Sequence, residues 1–306
     1  MLLSQDLPIL LTLMSAAITA ILAGSLLLPR GQIMISEAAS HAVLPGLVLG
    51  FVLSGDHGWA ALLGAVGVIA GFVAATGWLR TRHALGQGVE IAALFPIFFG
   101  VGILLLSATG LEDTGAIDVD HILFGSLELL LWFDVLTPAD LIRSSAWAGA
   151  PTQMVTALVS MVLAVAISAA AYPFFHRSLM DRHHARLITP VGTAVARVLE
   201  TVLIALAAAA CLRSAGVVVA IALFSAPVIA AWSFARSLWQ VWVCGIACAA
   251  VGLALTYATG AMVLSVFEVE PRLSGVLALW LVVLALLAPW SAKMLGRGRR
   301  AVRPLP

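Results

Sequence analysis

Long uncharged apolar runs dominate the chain: residues 7–28, 58–79, 91–111, 152–175, 214–235, 238–258 and 273–292. A bilayer core about 30 Å thick is crossed by roughly 20 residues of helix, so each run is long enough to span it. Two further runs keep the length but carry charge. Residues 31–53 contain Glu37 and His41, and residues 194–212 contain Arg197 and Glu200. The pattern predicts an all-α fold, a polytopic membrane helix bundle of about nine transmembrane helices, or eight if a shorter run is re-entrant. The uncharged stretch 237–267 exceeds one upright span and is expected to tilt or fold back. Residues 122–136, with Glu128 and Asp134, read as a short external or re-entrant helix. The organisation expected is one transmembrane domain over residues 1–292 and a basic cytoplasmic tail over residues 293–306.

Composition narrows the class. Hydrophobic residues make up 62% and charged residues 10%, with a mean hydropathy of +1.09. Soluble domains carry about 25% charged residues, so a water-soluble enzyme, a nucleic-acid binder and a disordered chain are excluded. The single lysine, Lys293, precedes Met294, so the Gly-Lys-Ser/Thr of a P-loop is missing and this chain does not hydrolyse ATP through one. Cys211, Cys244 and Cys248 fall in apolar runs with neither disulfide nor zinc-finger spacing.

The cations orient the bundle, because arginine and lysine favour cytoplasmic loops. Lys293, Arg297, Arg299, Arg300 and Arg303 place the C-terminus inside. Alternation then puts Arg236, Arg177 to Arg186, Arg80 with Arg82, and Arg30 on the same side. The N-terminus, the loop with Glu112, Asp113, Asp118 and Asp120, and the turn at 268–272 are expected outside. Arg30 follows the first run rather than preceding it, unlike a secretory signal.

Charge inside a bilayer costs at least about 2.5–3.5 kcal/mol, which makes each such residue a functional candidate. Glu37 and His41 stand four apart and share a helix face. At 1.5 Å per residue they lie roughly 10 and 16 Å beyond Arg30, near mid-membrane and just before a kink expected at Pro45. A carboxylate with an imidazole suits first-row divalent ions, and a Glu–His hydrogen bond that settles two polar groups is the alternative. Two ligands leave a site incomplete, so more donors must come from another helix or subunit. Arg197 and Glu200, three apart, read as an ion pair, and Glu90 as a carboxylate at the positive end of a helix dipole near Arg80 and Arg82. Gly67 with Gly71, and Gly245 with Gly252, read as small faces for helix packing. The external Asp118-Val119-Asp120-His121 reads as a solvated acidic loop, Cys244 and Cys248 as small buried residues, and His183 and His184 as exposed.

Ser36-Glu37-Ala38-Ala39-Ser40-His41-Ala42-Val43-Leu44-Pro45-Gly46 resembles the Ser-Asp-Ala-x-Ser-His-Ala-x-Leu-Pro-Gly signature of bacterial ABC transporter permeases for manganese, zinc and iron. Leu123-Phe124-Gly125-Ser126-Leu127, the stretch from Gly216 to Pro227, and Glu270-Pro271-Arg272-Leu273-Ser274-Gly275 follow in that family's order. The resemblance covers roughly residues 7–292. It implies a permease subunit of an ATP-driven importer in the bacterial cytoplasmic membrane, with no enzyme activity of its own and no permanently bound cofactor. Glu37 and His41 would meet the transported divalent metal, with Glu in place of the family's Asp. Asp181-Arg182-His183-His184-Ala185-Arg186 would couple to a cytoplasmic ATP-binding subunit. A second permease chain, an extracytoplasmic metal-binding protein and membrane lipid would be partners, and nucleic acid would not. The residues alone leave an ion-gradient-driven secondary transporter as the alternative.

Overall fold

The computed structural model describes residues 3–55, 59–83, 88–111, 127, 130–135, 137–180, 190–268 and 272–294. Among them every long element is an α-helix and none is a strand. The helices are α1 (Leu3–Leu27), α2 (Met34–Ala42), α3 (Leu44–Ser54), α4 (Trp59–His83), α5 (Val89–Thr109), α6 (Ser144–Ala148), α7 (Thr152–Met180), α8 (Pro190–Trp232), α9 (Leu238–Phe267) and α10 (Leu273–Met294). Counting α2 and α3 as one broken span, eight helices among the described residues are long and apolar enough to cross a membrane.

Helices α1 and α8 form the centre and α5 and α10 the rim. The spanning windows of the first two are 78% and 83% buried inside the chain, against 17% and 28% for the latter. Composition explains the difference. Ala16, Ala17, Ala20 and Ala23 on α1, with Ala205 and the run Ala207 to Ala210 on α8, are all buried. Such small side chains let helix backbones approach where no hydrophobic effect drives them together. Thr12, Ser15 and Thr19 enter this dry core with their hydroxyls donating to carbonyls one turn back, each at 2.6 Å, so these three groups are satisfied.

Helix α8 doubles back. Its first arm runs antiparallel to α1: Glu200 pairs with Arg30, and the Cys211 thiol meets the Ala16 carbonyl at 3.4 Å. A straight continuation would carry Phe224 about 20 Å further along, past the far end of α1. Instead the Phe224 carbonyl and Val228 lie against Gly24. The reversal sits at Gly216, whose φ of 78° and ψ of 175° interrupt the helix in a region glycine alone enters freely. The two spans expected at 194–212 and 214–235 are therefore the arms of one element that traverses the bundle twice.

Three sequence expectations are corrected by the packing. Gly67 and Gly71 meet nothing within 4 Å, whereas a Cβ on Gly46, Gly50 or Gly64 would strike the facing backbone between α3 and α4. That pair of helices is the tight glycine contact. Gly245 packs on Ile21 and Gly252 on Leu281, as expected. The fold-back given as one alternative for residues 237–267 does not form: helix α9 is one continuous element of 30 residues. Residues 130–135 form no helix: Trp132 is fully buried, takes the Ser4 carbonyl with its backbone N–H at 2.8 Å, and donates its indole N–H to Ala146 at 2.8 Å. They close a small cap over the end of the bundle away from Arg30. The loop at 112–126, the segment 181–189 and the tail from 295 onward lie outside the described residues.

Candidate functional site

Helix α2 begins beyond a turn at Gly31 and carries a divided surface. Ile35, Ser36, Ala38, Ala39, Ser40 and Ala42 are buried, while Met34 and Glu37 are exposed and His41 is half-buried. The serines of the motif face inward, Ser36 donating to Ile33 and Ser40 to Ser36 at 2.8 Å, so their hydroxyls are spent on the helix backbone. Glu37 and His41 project together from the other face, close enough to interact electrostatically. Pro45 lacks the N–H that would bond the His41 carbonyl, and the helical hydrogen bonding is interrupted at Val43, whose φ of −68° and ψ of −28° stay helical.

The His41 ring is met edge-to-face by two rings of α5. Its centroid lies 5.3 Å from Phe95 and 5.6 Å from Phe99, with interplanar angles of 66° and 82°. These two phenylalanines were not singled out by the sequence, where Phe95 and Phe99 look like any aromatic pair in an apolar span. The described residues contain no group of three or more His, Cys, Asp and Glu side chains that could hold a metal. What the described residues offer here is one exposed carboxylate and one imidazole half-buried against α5.

The remaining charges sort differently. Glu200 pairs with Arg30, not with Arg197, which is exposed. The pair joins the end of α1 to α8, with side chains only 11% and 8% exposed, and it sits immediately before the turn into α2. Glu90 is buried in the first turn of α5, where the helix dipole favours a carboxylate. Cys244 and Cys248 are half-buried, and the described residues bring no metal-binding group of three around them. The coupling candidates Asp181, Arg182, His183, His184, Ala185 and Arg186, with Asp118, Asp120 and His121, lie outside the described residues.

The family model of the ABC 3 transport family matches residues 7–291, nearly the whole bundle. The chain belongs to that family. It is a multi-pass protein of the bacterial cytoplasmic membrane, a transport component rather than an enzyme. Among its relatives is the manganese import system permease protein ScaB of Streptococcus gordonii, 26% identical over 74% of this chain and 72% of that one. The chelated iron transport system membrane protein YfeD of Yersinia pestis is 29% identical over 75% of this chain and 67% of its own length. The chain spans about a third of the first curated relatives it matches, among them the manganese transport system membrane protein MntC of Halalkalibacterium halodurans, 35% identical over 34% of this chain and 33% of that one. PsaBC from Streptococcus pneumoniae, solved in complex with Fab, shares the fold, with a TM-score of 0.68 at 20% identity over 94% of this chain and 93% of the other.

Proposed function

We propose that this chain is the membrane-spanning permease of an ATP-driven importer of divalent transition-metal ions, manganese, iron or zinc, and that it works as a dimer. The observation that carries the reading is the placement of Glu37 and His41. Glu37 lies in the first turn of a membrane-crossing segment and is exposed, and His41 follows one turn further along, half-buried against α5. An exposed carboxylate within a membrane-crossing segment carries a cost unless something covers it. A second permease chain across a two-fold axis would cover this face and bring a second carboxylate and imidazole. The four donors together match the coordination number and ligand type that divalent first-row ions accept. The metal is cargo, so its ligands must release it as well as bind it.

The chain lacks a P-loop, so the energy would come from a separate ATP-binding subunit docked on the Asp181–Arg186 loop at the cytoplasmic end. An extracytoplasmic metal-binding protein would deliver the ion on the other side. The relatives named for manganese and chelated iron support this class of cargo. The test is metal accumulation in a strain lacking the chain, complemented with wild type, Glu37→Ala or His41→Ala at matched membrane levels. Accumulation of one metal should fall on deletion, return with wild type and stay low with either variant. Full recovery with both variants would overturn the assignment.

A further inference from the structure

We propose that Phe95 and Phe99 are positioning residues for the His41 imidazole, and that they set how tightly the pathway holds its cation. The inference rests on the reading of Glu37 and His41 as pathway ligands and extends it to α5. A histidine that ligates a metal ordinarily donates its other ring N–H to a carboxylate or carbonyl, which fixes the ring plane and makes the ligand more basic. Among the described residues no hydrogen-bond acceptor meets either nitrogen of His41. Its plane is fixed by the two phenyl rings, which lie 6.0 Å apart and within 16° of parallel. Edge-to-face contacts of this kind orient a ring without adding basicity.

The two phenyl rings are themselves anchored separately. Phe95 packs on the main core of the bundle, and Phe99 packs on a small cluster of Leu44, Val48 and Leu106. Further along α5, Gly102 lies so close to the helix break that a Cβ there would stand 2.8 Å from Pro45 and 3.0 Å from Leu44. That contact locks α5 in register with the kink, so Phe95 and Phe99 stay level with His41. The result is a ligand held in place by rings that accept no proton and compete for no metal. A transport ligand must bind yet let go, and an oriented imidazole without a basicity-raising partner meets both demands.

The experiment measures initial uptake of manganese(II), iron(II) and zinc(II), supplied together and read separately by mass spectrometry, in cells carrying the complete transporter. Phe95→Leu and Phe99→Leu keep the bulk and remove the ring, and Phe95→Tyr and Phe99→Tyr keep the ring. His41→Ala runs in parallel, and membrane abundance is checked for every variant. Each leucine variant should raise the KM for the transported metal about fivefold while Vmax stays near wild type, and each tyrosine variant should restore KM. A purely structural role would lower abundance or Vmax instead, leave KM alone, and overturn the proposal. If His41→Ala abolishes uptake while both leucine variants keep the wild-type KM, the positioning role falls and the pathway reading stands. If His41→Ala transports normally, both fall together.

Discussion

Two charged places in this membrane bundle have been solved in opposite ways. At the end of α1, Arg30 is met by Glu200 from α8, and both side chains are nearly buried. A short turn later, Glu37 stands exposed on α2, and His41 beside it is half-buried against Phe95 and Phe99 of α5. Both places carry the cost of charge inside a membrane. The first is discharged within the chain and ties three elements together at the root of α2. The second is only partly covered within the chain, and on the proposed reading a cation and a second chain complete it. A buried, internally satisfied pair belongs to the scaffold. A partly exposed pair near the start of a spanning segment belongs, on the proposed reading, to function.

The largest effect should come from breaking the closed pair on one side only. Glu200→Ala leaves the Arg30 guanidinium buried without its partner, which costs about 3–5 kcal/mol. The thermal midpoint of the detergent-solubilised protein should fall steeply, and uptake should vanish with it. A midpoint equal to wild type would mean that the pair does not anchor the root of α2. Glu37→Leu should invert this outcome. Glu37 is exposed in the chain, so its replacement should shift stability by no more than about 0.5 kcal/mol. Metal uptake should nonetheless fall by more than about tenfold, as loss of a ligand costs no less than loss of its outer-shell support. If both variants fail through instability, the contrast between the two places is wrong.

A second contrast concerns glycines. Gly64→Leu forces a side chain into the backbone contact between α3 and α4 and should cost about 1–3 kcal/mol in the same thermal measurement. Gly71→Leu places the same side chain in open space and should change the midpoint by no more than about 0.5 kcal/mol. Equal losses at both positions would show that the Gly67–Gly71 face is also packed in the protein as it melts.

How much of this was legible follows from what a sequence can carry. Uncharged run length marks the spans, because the bilayer imposes a length and a composition at once. The Glu37–His41 pair was legible for a similar reason: four residues on a helix fix a shared face without any tertiary knowledge. The break near Pro45 follows from a missing N–H. The partner of Glu200 was not legible. Arg197 is three residues away and Arg30 is 170, and local spacing favours the nearer cation although the fold chooses the farther. The glycines fail for a related reason. Gly46-xxx-Gly50 and Gly67-xxx-Gly71 have the same period, and only the neighbouring helix distinguishes a packed face from an open one. Gly216 follows Arg213-Ser214-Ala215 with no loop-like run, so one residue in an unusual conformation separates two arms that pattern alone splits by their charge.

The finest test of the comparison replaces the closed pair altogether. If Arg30 and Glu200 serve the scaffold alone, their charge is dispensable once both are removed, since apolar residues of similar volume avoid the desolvation that the pair incurs. Arg30→Met with Glu200→Leu should recover most of the stability lost in Glu200→Ala and end within about 1 kcal/mol of wild type in thermal unfolding. Uptake should return with it, because α2 regains a fixed root and Glu37 with His41 are untouched. Recovery of stability without recovery of uptake would give the pair a part in the transport cycle, such as opening and closing as α2 moves. The line between scaffold and function would then run through the Gly31 turn rather than between the two charged places.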